Sequence, residues 1–177
     1  MLFGNKKSFG LECSYKESIK GTPLGNICLW IKGMAVGDFS EHCNLADCII
    51  HFNHLLKWRG KRADRHLSSL ELGEAIEFLF SALYTDNNKS EEASILDWTL
   101  YEKVILLPTI PPFDGWFGVV LDEKDCQRIM VSKRFDKPIE YQEIICPPAS
   151  YENHINDFFY WIAECIGRDQ FNKILIE

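Results

Sequence analysis

The chain has 177 residues, of which 46% are hydrophobic and 25% are charged, and its net charge is −7. This composition is typical of a globular protein and excludes a chain that is disordered throughout. The negative charge disfavours non-specific nucleic-acid binding and favours a basic partner, although the same charge also serves solubility.

The length predicts one domain over residues 1–177, with a core that needs no disulfide or metal. The first residues lack the apolar segment of a secretory signal, and no window is long and apolar enough to span a membrane. The seven cysteines are odd in number and form no C-x-x-C pair. These features predict a protein of the reducing cytoplasm.

Two strands and a very short third one are predicted before residue 40. Alternating apolar residues indicate a half-buried strand over 8–15. Gly21, Pro23 and Gly25 predict a turn or loop over 16–26. The apolar segment 27–32 predicts a second strand, antiparallel to the first, and 34–36 a third.

Two helices are predicted next. Asn44 is a suitable cap for a helix over about 45–58, whose apolar face recurs at three- and four-residue steps. Ser68 and Glu71 form a capping-box pattern before a helix over about 69–84. A polar loop is predicted over 85–92, and residues 93–113 fit either a strand or a broken helix.

Strands return in the last third. Residues 116–121 and 126–133 predict a hairpin, and a turn at 136–138 precedes a strand over 139–146. Ser150 is the expected cap of a helix over about 151–166 that ends at Gly167 in the left-handed conformation, and the apolar tail 171–176 is expected to dock on the body. The order predicts an α+β fold, a mainly antiparallel sheet with about three helices packed against one face.

No motif for catalysis or cofactor binding is found, so we predict no enzyme, no cofactor and no metal. Cys48, His51 and His54 share a three-residue spacing that a zinc site can use, but the favoured interpretation is a core cysteine with two surface histidines. Gly33, Gly37 and Asp38 lack the phosphate-loop pattern and predict a tight turn. No cysteine lies in a recognisable nucleophile turn.

Residues 57–65 are the one basic segment, with five basic residues, one acidic residue and Trp58. Basic residues beside an aromatic one can bind nucleic acid. The alternative interpretation is a solvated or ion-paired loop. Its first cations would lie near the C-terminus of the preceding helix, where the helix dipole favours positive charge.

Acidic residues cluster twice outside the predicted helices, beside aromatic residues. The candidate partner contacts in these clusters are Glu91, Glu92, Asp97, Trp98, Asp122, Glu123 and Asp125. An acidic rim around aromatic anchors suits a basic protein partner. The alternative interpretation has equal weight: these turns are acidic because they are exposed to solvent, and the tryptophans belong to the core.

A series of short segments in the first third resembles the immunity protein 42 family, small bacterial proteins that neutralise a toxin made by the same cell. The segments are Phe3-Gly4-Asn5, Phe9-Gly10-Leu11-Glu12, Leu29-Trp30-Ile31-Lys32-Gly33 and Val36-Gly37-Asp38-Phe39, followed by Leu45 at the start of the first helix. The resemblance carries over no catalytic residue.

The resemblance implies a cytoplasmic immunity protein from a contact-dependent or related polymorphic toxin system. Such a protein binds the C-terminal domain of the toxin and blocks its active site or a neighbouring surface. An acidic inhibitor would suit a basic nuclease toxin. The alternatives are an adaptor that binds nucleic acid or protein through the basic loop 57–65 and, third, a small cysteine- or zinc-dependent hydrolase.

Overall fold

The computed structural model describes residues 1–85, 89–134 and 139–176 and confirms the α+β class. The strands form two antiparallel sheets, and the described residues contain six α-helices where about three were predicted. The chain divides into two compact units. Unit 1 is Met1–Lys57, Pro108–Asp114 and Ala149–Glu177, and unit 2 is Trp58–Leu107 and Gly115–Pro148. The prediction of a single domain stays a prediction.

The sheet of unit 1 contains all the strands that precede the first helix. They are β1 (Leu2–Gly4), β2 (Phe9–Ile19), β3 (Thr22–Ile31), β4 (Met34–Val36) and β5 (Cys43–Asn44). Strands β1 to β4 pair in chain order, and β5 pairs with the start of β3. The register places Leu11 opposite Leu29, both buried, so the predicted antiparallel pairing of the two main strands is confirmed.

The turn or loop predicted over 16–26 is confirmed only at Lys20 and Gly21, because β2 and β3 continue to a two-residue turn there. Both turn residues have positive φ, 50° and 85°, as the tight hairpin turns that match strand twist require. Gly25 lies within β3 rather than in a turn. A Cβ at residue 25 would lie 2.0 Å from the carbonyl oxygen of Ser14, so glycine here permits close strand pairing instead of breaking the strand.

Three helices belong to unit 1: α1 (Leu45–Lys57), α5 (Ser150–Ile166) and α6 (Arg168–Ile176). The predicted Asn44 cap is confirmed, since its Oδ1 accepts the Ala46 backbone N–H at 2.9 Å. The apolar face of α1 is buried, with Phe52 in edge-to-face contact with the rings of Tyr151 and Phe158 of α5.

The ends of α5 differ from the prediction. The residue at the N-cap is Ala149, with φ 65° and no side-chain cap, and Ser150 is already helical. Gly167 has φ 86° but an extended ψ of 139°, which is not the left-handed helical conformation. That extended backbone leads directly into α6. The predicted docking of the tail is confirmed, because Phe171 and Ile174 are buried and α6 contacts α1 and α5.

The turn predicted around Gly33, Gly37 and Asp38 is confirmed. Gly33 and Gly37 have φ of 87° and 97°, and the Asp38 carboxylate accepts the backbone N–H and hydroxyl of Ser40. A Cβ on Gly37 would lie 2.8 Å from the Phe113 ring, so both backbone conformation and space require glycine.

Unit 2 is built from three helices and the second sheet. They are α2 (Arg65–Ser69), α3 (Leu72–Tyr84), α4 (Glu91–Tyr101), β6 (Trp116–Asp122), β7 (Gln127–Lys133) and β8 (Glu140–Cys146). The strands pair antiparallel in chain order, as predicted for 116–121, 126–133 and 139–146. One face of α3 packs on this sheet in a buried cluster, to which α3 contributes Ile76 and Leu79 and the strands contribute Val119 and Met130.

The capping box lies three residues later than predicted. The Glu71 and Glu74 side chains cap α3, and Asp64 caps the separate short helix α2. The extended backbone of Leu70, with ψ 147°, interrupts the helix that was predicted to run continuously from residue 69.

The ambiguous segment 93–113 begins as helix α4, so the broken-helix alternative is confirmed and the strand alternative is wrong for Glu91–Tyr101. The Ser90 hydroxyl caps it by accepting the Ala93 N–H. Two 3-10 turns follow, Glu102–Val104 and Pro111–Phe113. Residues 86–88 of the predicted polar loop and the predicted turn at 136–138 lie outside the described residues.

Candidate partner-binding surface

The helix α1 holds the three residues considered for a metal. Cys48 is fully buried and its Sγ lies 3.9 Å from the carbonyl oxygen of Asn44, while the His51 ring meets the Phe52 ring edge-on. Within the described residues, no three histidine, cysteine or acidic side chains are close enough to hold a metal ion. The absence of a metal remains a prediction.

The cysteines of the described residues are all thiols without a disulfide. Burial raises the pKa of Cys28 to about 12 and raises the pKa of Cys13 and Cys146 above the ordinary thiol value. A nucleophilic cysteine needs the opposite shift, since the thiolate is the reactive form. For Cys13, Cys28 and Cys146 this weakens the hydrolase alternative, whereas a hydrogen bond from the Cys48 thiol lowers the pKa of Cys43, which is buried.

The basic segment 57–65 is divided between surface and interior. Arg62 is fully buried, and its guanidinium contacts both carboxylate oxygens of Asp122, from Nη2 to Oδ1 at 2.9 Å and from Nε to Oδ2 at 3.1 Å. Lys57, Arg59 and Lys61 are exposed. The central cation is therefore engaged in an internal ion pair, which weakens the adaptor alternative.

Asp122 organises the loop before α2. Besides Arg62, its carboxylate accepts the Gly60 backbone N–H at 2.7 Å and the Gln127 side-chain amide at 3.0 Å. Of the three candidate contacts in the β6–β7 turn, Asp122 therefore stabilises the fold. Glu123 accepts a hydrogen bond from the Cys126 thiol, and Asp125 is exposed.

Stability should depend on pH through Asp122. Burial would raise the pKa of its carboxyl group, but hydrogen bonds from Arg62 and Gln127 and the charge of Arg62 outweigh burial and lower it. A carboxyl whose folded pKa is depressed stabilises the protein above its unfolded pKa, near 4, and loses that contribution as pH falls through the folded value. Denaturant unfolding of wild type and Asp122→Asn at several pH values should show their stability difference shrinking below about pH 4. A difference that does not change with pH would contradict this.

The other cluster lies on the helix α4, so the prediction that it lies outside helices is wrong. This helix has no buried residue. Glu91 and Glu92 are exposed in its first turn, where carboxylates favour the helix dipole. Hydrogen bonds from its own backbone N–H and from Ser90 lower the pKa of Glu92, which is charged at neutral pH. Asp97 lies on the half-buried side and forms an ion pair with Lys89 at 2.7 Å.

Trp98 borders this exposed surface. It is 39% exposed and meets the ring of Tyr84 edge-on, and Tyr84 in turn contacts Phe117 of β6. Phe117 itself is buried. Trp98 is thus anchored on the aromatic core of unit 2 while part of its ring faces solvent.

Comparison with known proteins decides the family. The model of the family described as immunity protein 42 matches residues 1–161. The chain belongs to the immunity protein 42 family. No curated protein matches it significantly. Among solved structures, the crystal structure of CdiI from Burkholderia dolosa AUO158 has the same fold, with a TM-score of 0.73 and 15% identity over 90% of this chain and 99% of that one.

The match extends the resemblance seen in the first third of this chain as far as α5. None of the helices in its described residues is long and apolar enough to cross a membrane. Sequence reasoning missed the exposed apolar residues of α4, Ile95, Leu96 and Leu100. The available signal was the cap at Ser90, which sets the helix start and hence which side chains share a face.

Proposed function

We propose that this protein is a cytoplasmic immunity protein that binds the C-terminal domain of a cognate bacterial toxin and neutralises it by occluding its active site. The toxin would belong to a contact-dependent inhibition or related polymorphic toxin system. The observation that carries the proposal is the family match over residues 1–161. The protein acts by binding alone, so its activity requires no catalytic residue or cofactor.

The charge of the chain supports a basic partner. A net charge of −7 attracts a cationic toxin domain, such as a nuclease, and would raise the rate at which the two proteins meet. The proposed contacts lie in the two acidic clusters: the exposed Glu91, Glu92, Trp98 and Asp125, and the half-buried Glu123. Asp97 and Asp122, already paired with Lys89 and Arg62, would hold these surfaces in place.

An immunity gene is expected to lie directly downstream of its toxin gene, so the test is binding to the C-terminal domain of the toxin expected to be encoded directly upstream. We expect one-to-one co-purification, nanomolar affinity by calorimetry, and rescue of growth when both proteins are expressed in one cell. No binding and no rescue would overturn the proposal. A nucleic-acid complex that weakens steeply with salt would support the adaptor alternative instead.

Added salt should slow the association of this protein with the toxin domain. Raising the salt concentration from about 50 mM to about 500 mM shortens the Debye length severalfold, so the association rate should fall while the dissociation rate changes little. Stopped-flow or surface-plasmon measurements would show this. An association rate that does not change with salt concentration would contradict the electrostatic part of the proposal and leave the inhibitor role intact.

A further inference from the structure

Helix α4 has its apolar residues on the outside. Ile95 and Leu96 are 59% and 58% exposed, whereas the half-buried side of the helix consists of Ala93, Ser94, Asp97 and Tyr101. A helix that only covers a core has the reverse arrangement, with apolar side chains inward. Exposed apolar residues in a cluster indicate an interaction site, whereas single ones are ordinary.

The outward residues form two adjacent columns at four-residue spacing. One column is Glu91, Ile95 and Thr99, and the other is Glu92, Leu96 and Leu100. Each column begins with a carboxylate and continues with an apolar side chain. The outward face is therefore acidic at its N-terminal end and apolar beyond it, with Trp98 along one side.

The negative charge of α4 favours a partner with positive charge. Glu91–Tyr101 contains three acidic residues and no basic one, and Lys89 pairs with the only acidic residue on the half-buried side. A second copy of this chain would bring a net charge of −7 against the same acidic end. A partner with an apolar groove and cations at one end of it complements both features.

We propose that the outward face of α4, defined as Glu91, Glu92, Ile95, Leu96, Trp98 and Leu100, is the principal part of the toxin-binding surface. The inference rests on the proposed function. The helix lies in an apolar groove of the toxin domain, with Ile95, Leu96 and Trp98 as anchors and the two glutamates facing lysine or arginine side chains. Unit 2 supplies the contact helix, and its aromatic core holds Trp98 in place.

The test compares two α4 variants with matched controls, using the full chain and the upstream-encoded toxin domain. The double variant Ile95→Ala/Leu96→Ala keeps good helix formers and removes two of the three anchors, and we expect its affinity to fall at least about tenfold, mainly through faster dissociation. Glu91→Gln/Glu92→Gln should slow association and reduce its salt dependence. Ile145→Ala, at a residue 54% exposed on β8, and Glu140→Gln are the controls and should bind like wild type. Circular dichroism and melting temperature verify the fold of each variant.

The outcomes separate this inference from the proposed function. If wild type binds and rescues growth and the folded Ile95→Ala/Leu96→Ala variant does so equally well, the α4 surface is wrong and the immunity function stands. If wild type does not bind the toxin, both proposals fail. If sedimentation shows that wild type self-associates and the variant is monomeric, a second copy is the occupant and the inference is overturned.

Discussion

Replacing Asp122 by alanine is expected to lower the free energy of unfolding of this protein by about 3–5 kcal/mol, because it leaves the Arg62 guanidinium buried without its counter-charge. The same change removes the acceptor of the Gly60 N–H and the Gln127 amide. Urea unfolding followed by circular dichroism measures the loss. Toxin affinity, measured under conditions where the variant is folded, should change much less than stability.

Two further variants test whether the lost ion pair causes the stability loss of Asp122→Ala. Asp125→Ala removes an exposed carboxylate from the same turn and should change stability by less than about 0.5 kcal/mol. Arg62→Met combined with Asp122→Ala removes both charges, and the double variant should be more stable than the sum of the single losses predicts. Strictly additive losses would show that the ion pair is not the source of the stability.

Replacing Phe52 by alanine should destabilise unit 1 by about 3–5 kcal/mol, because it removes a fully buried ring and leaves a cavity. The ring lies between α1 and α5, in edge-to-face contact with Tyr151 and Phe158. Alanine is a good helix former, so the loss reports packing and not helix propensity. Chemical denaturation with the intrinsic tryptophan fluorescence as signal provides the measurement.

Tyr160→Ala is the matched control, since Tyr160 lies on α5 but is 75% exposed. Its stability should stay within about 0.5 kcal/mol of wild type. A loss for Phe52→Ala no larger than that of Tyr160→Ala would contradict the packing of α1 against α5.

The two destabilising variants together test the prediction of a single domain. Asp122 belongs to unit 2 and Phe52 to unit 1. If residues 1–177 unfold as one cooperative domain, both variants shift one common transition. If the units unfold separately, each variant shifts its own transition and leaves the other in place, and the single-domain prediction is wrong.

Local patterns predict most elements correctly because their causes lie within a few residues. The Asn44 cap, the apolar face of α1 and the hairpin of β6 and β7 are all encoded by neighbours in sequence. Predictions fail where distant contacts override local preference. The local pattern places Gly25 in a loop, yet the approach of Ser14 makes glycine necessary inside a strand. The extended Leu70 likewise lies where the pattern predicts a helix from about residue 69, and α3 begins only at Leu72.

The α+β class, the negative charge and the family follow from the linear chain, since composition, periodicity and a series of short segments are all properties of that chain. Only the tertiary structure decided which charged and apolar residues face solvent. It buries Arg62 against Asp122, sixty residues away, and turns Ile95 and Leu96 outward. The physical reason is that burial depends on what packs beside a residue, and those neighbours come from distant parts of the chain.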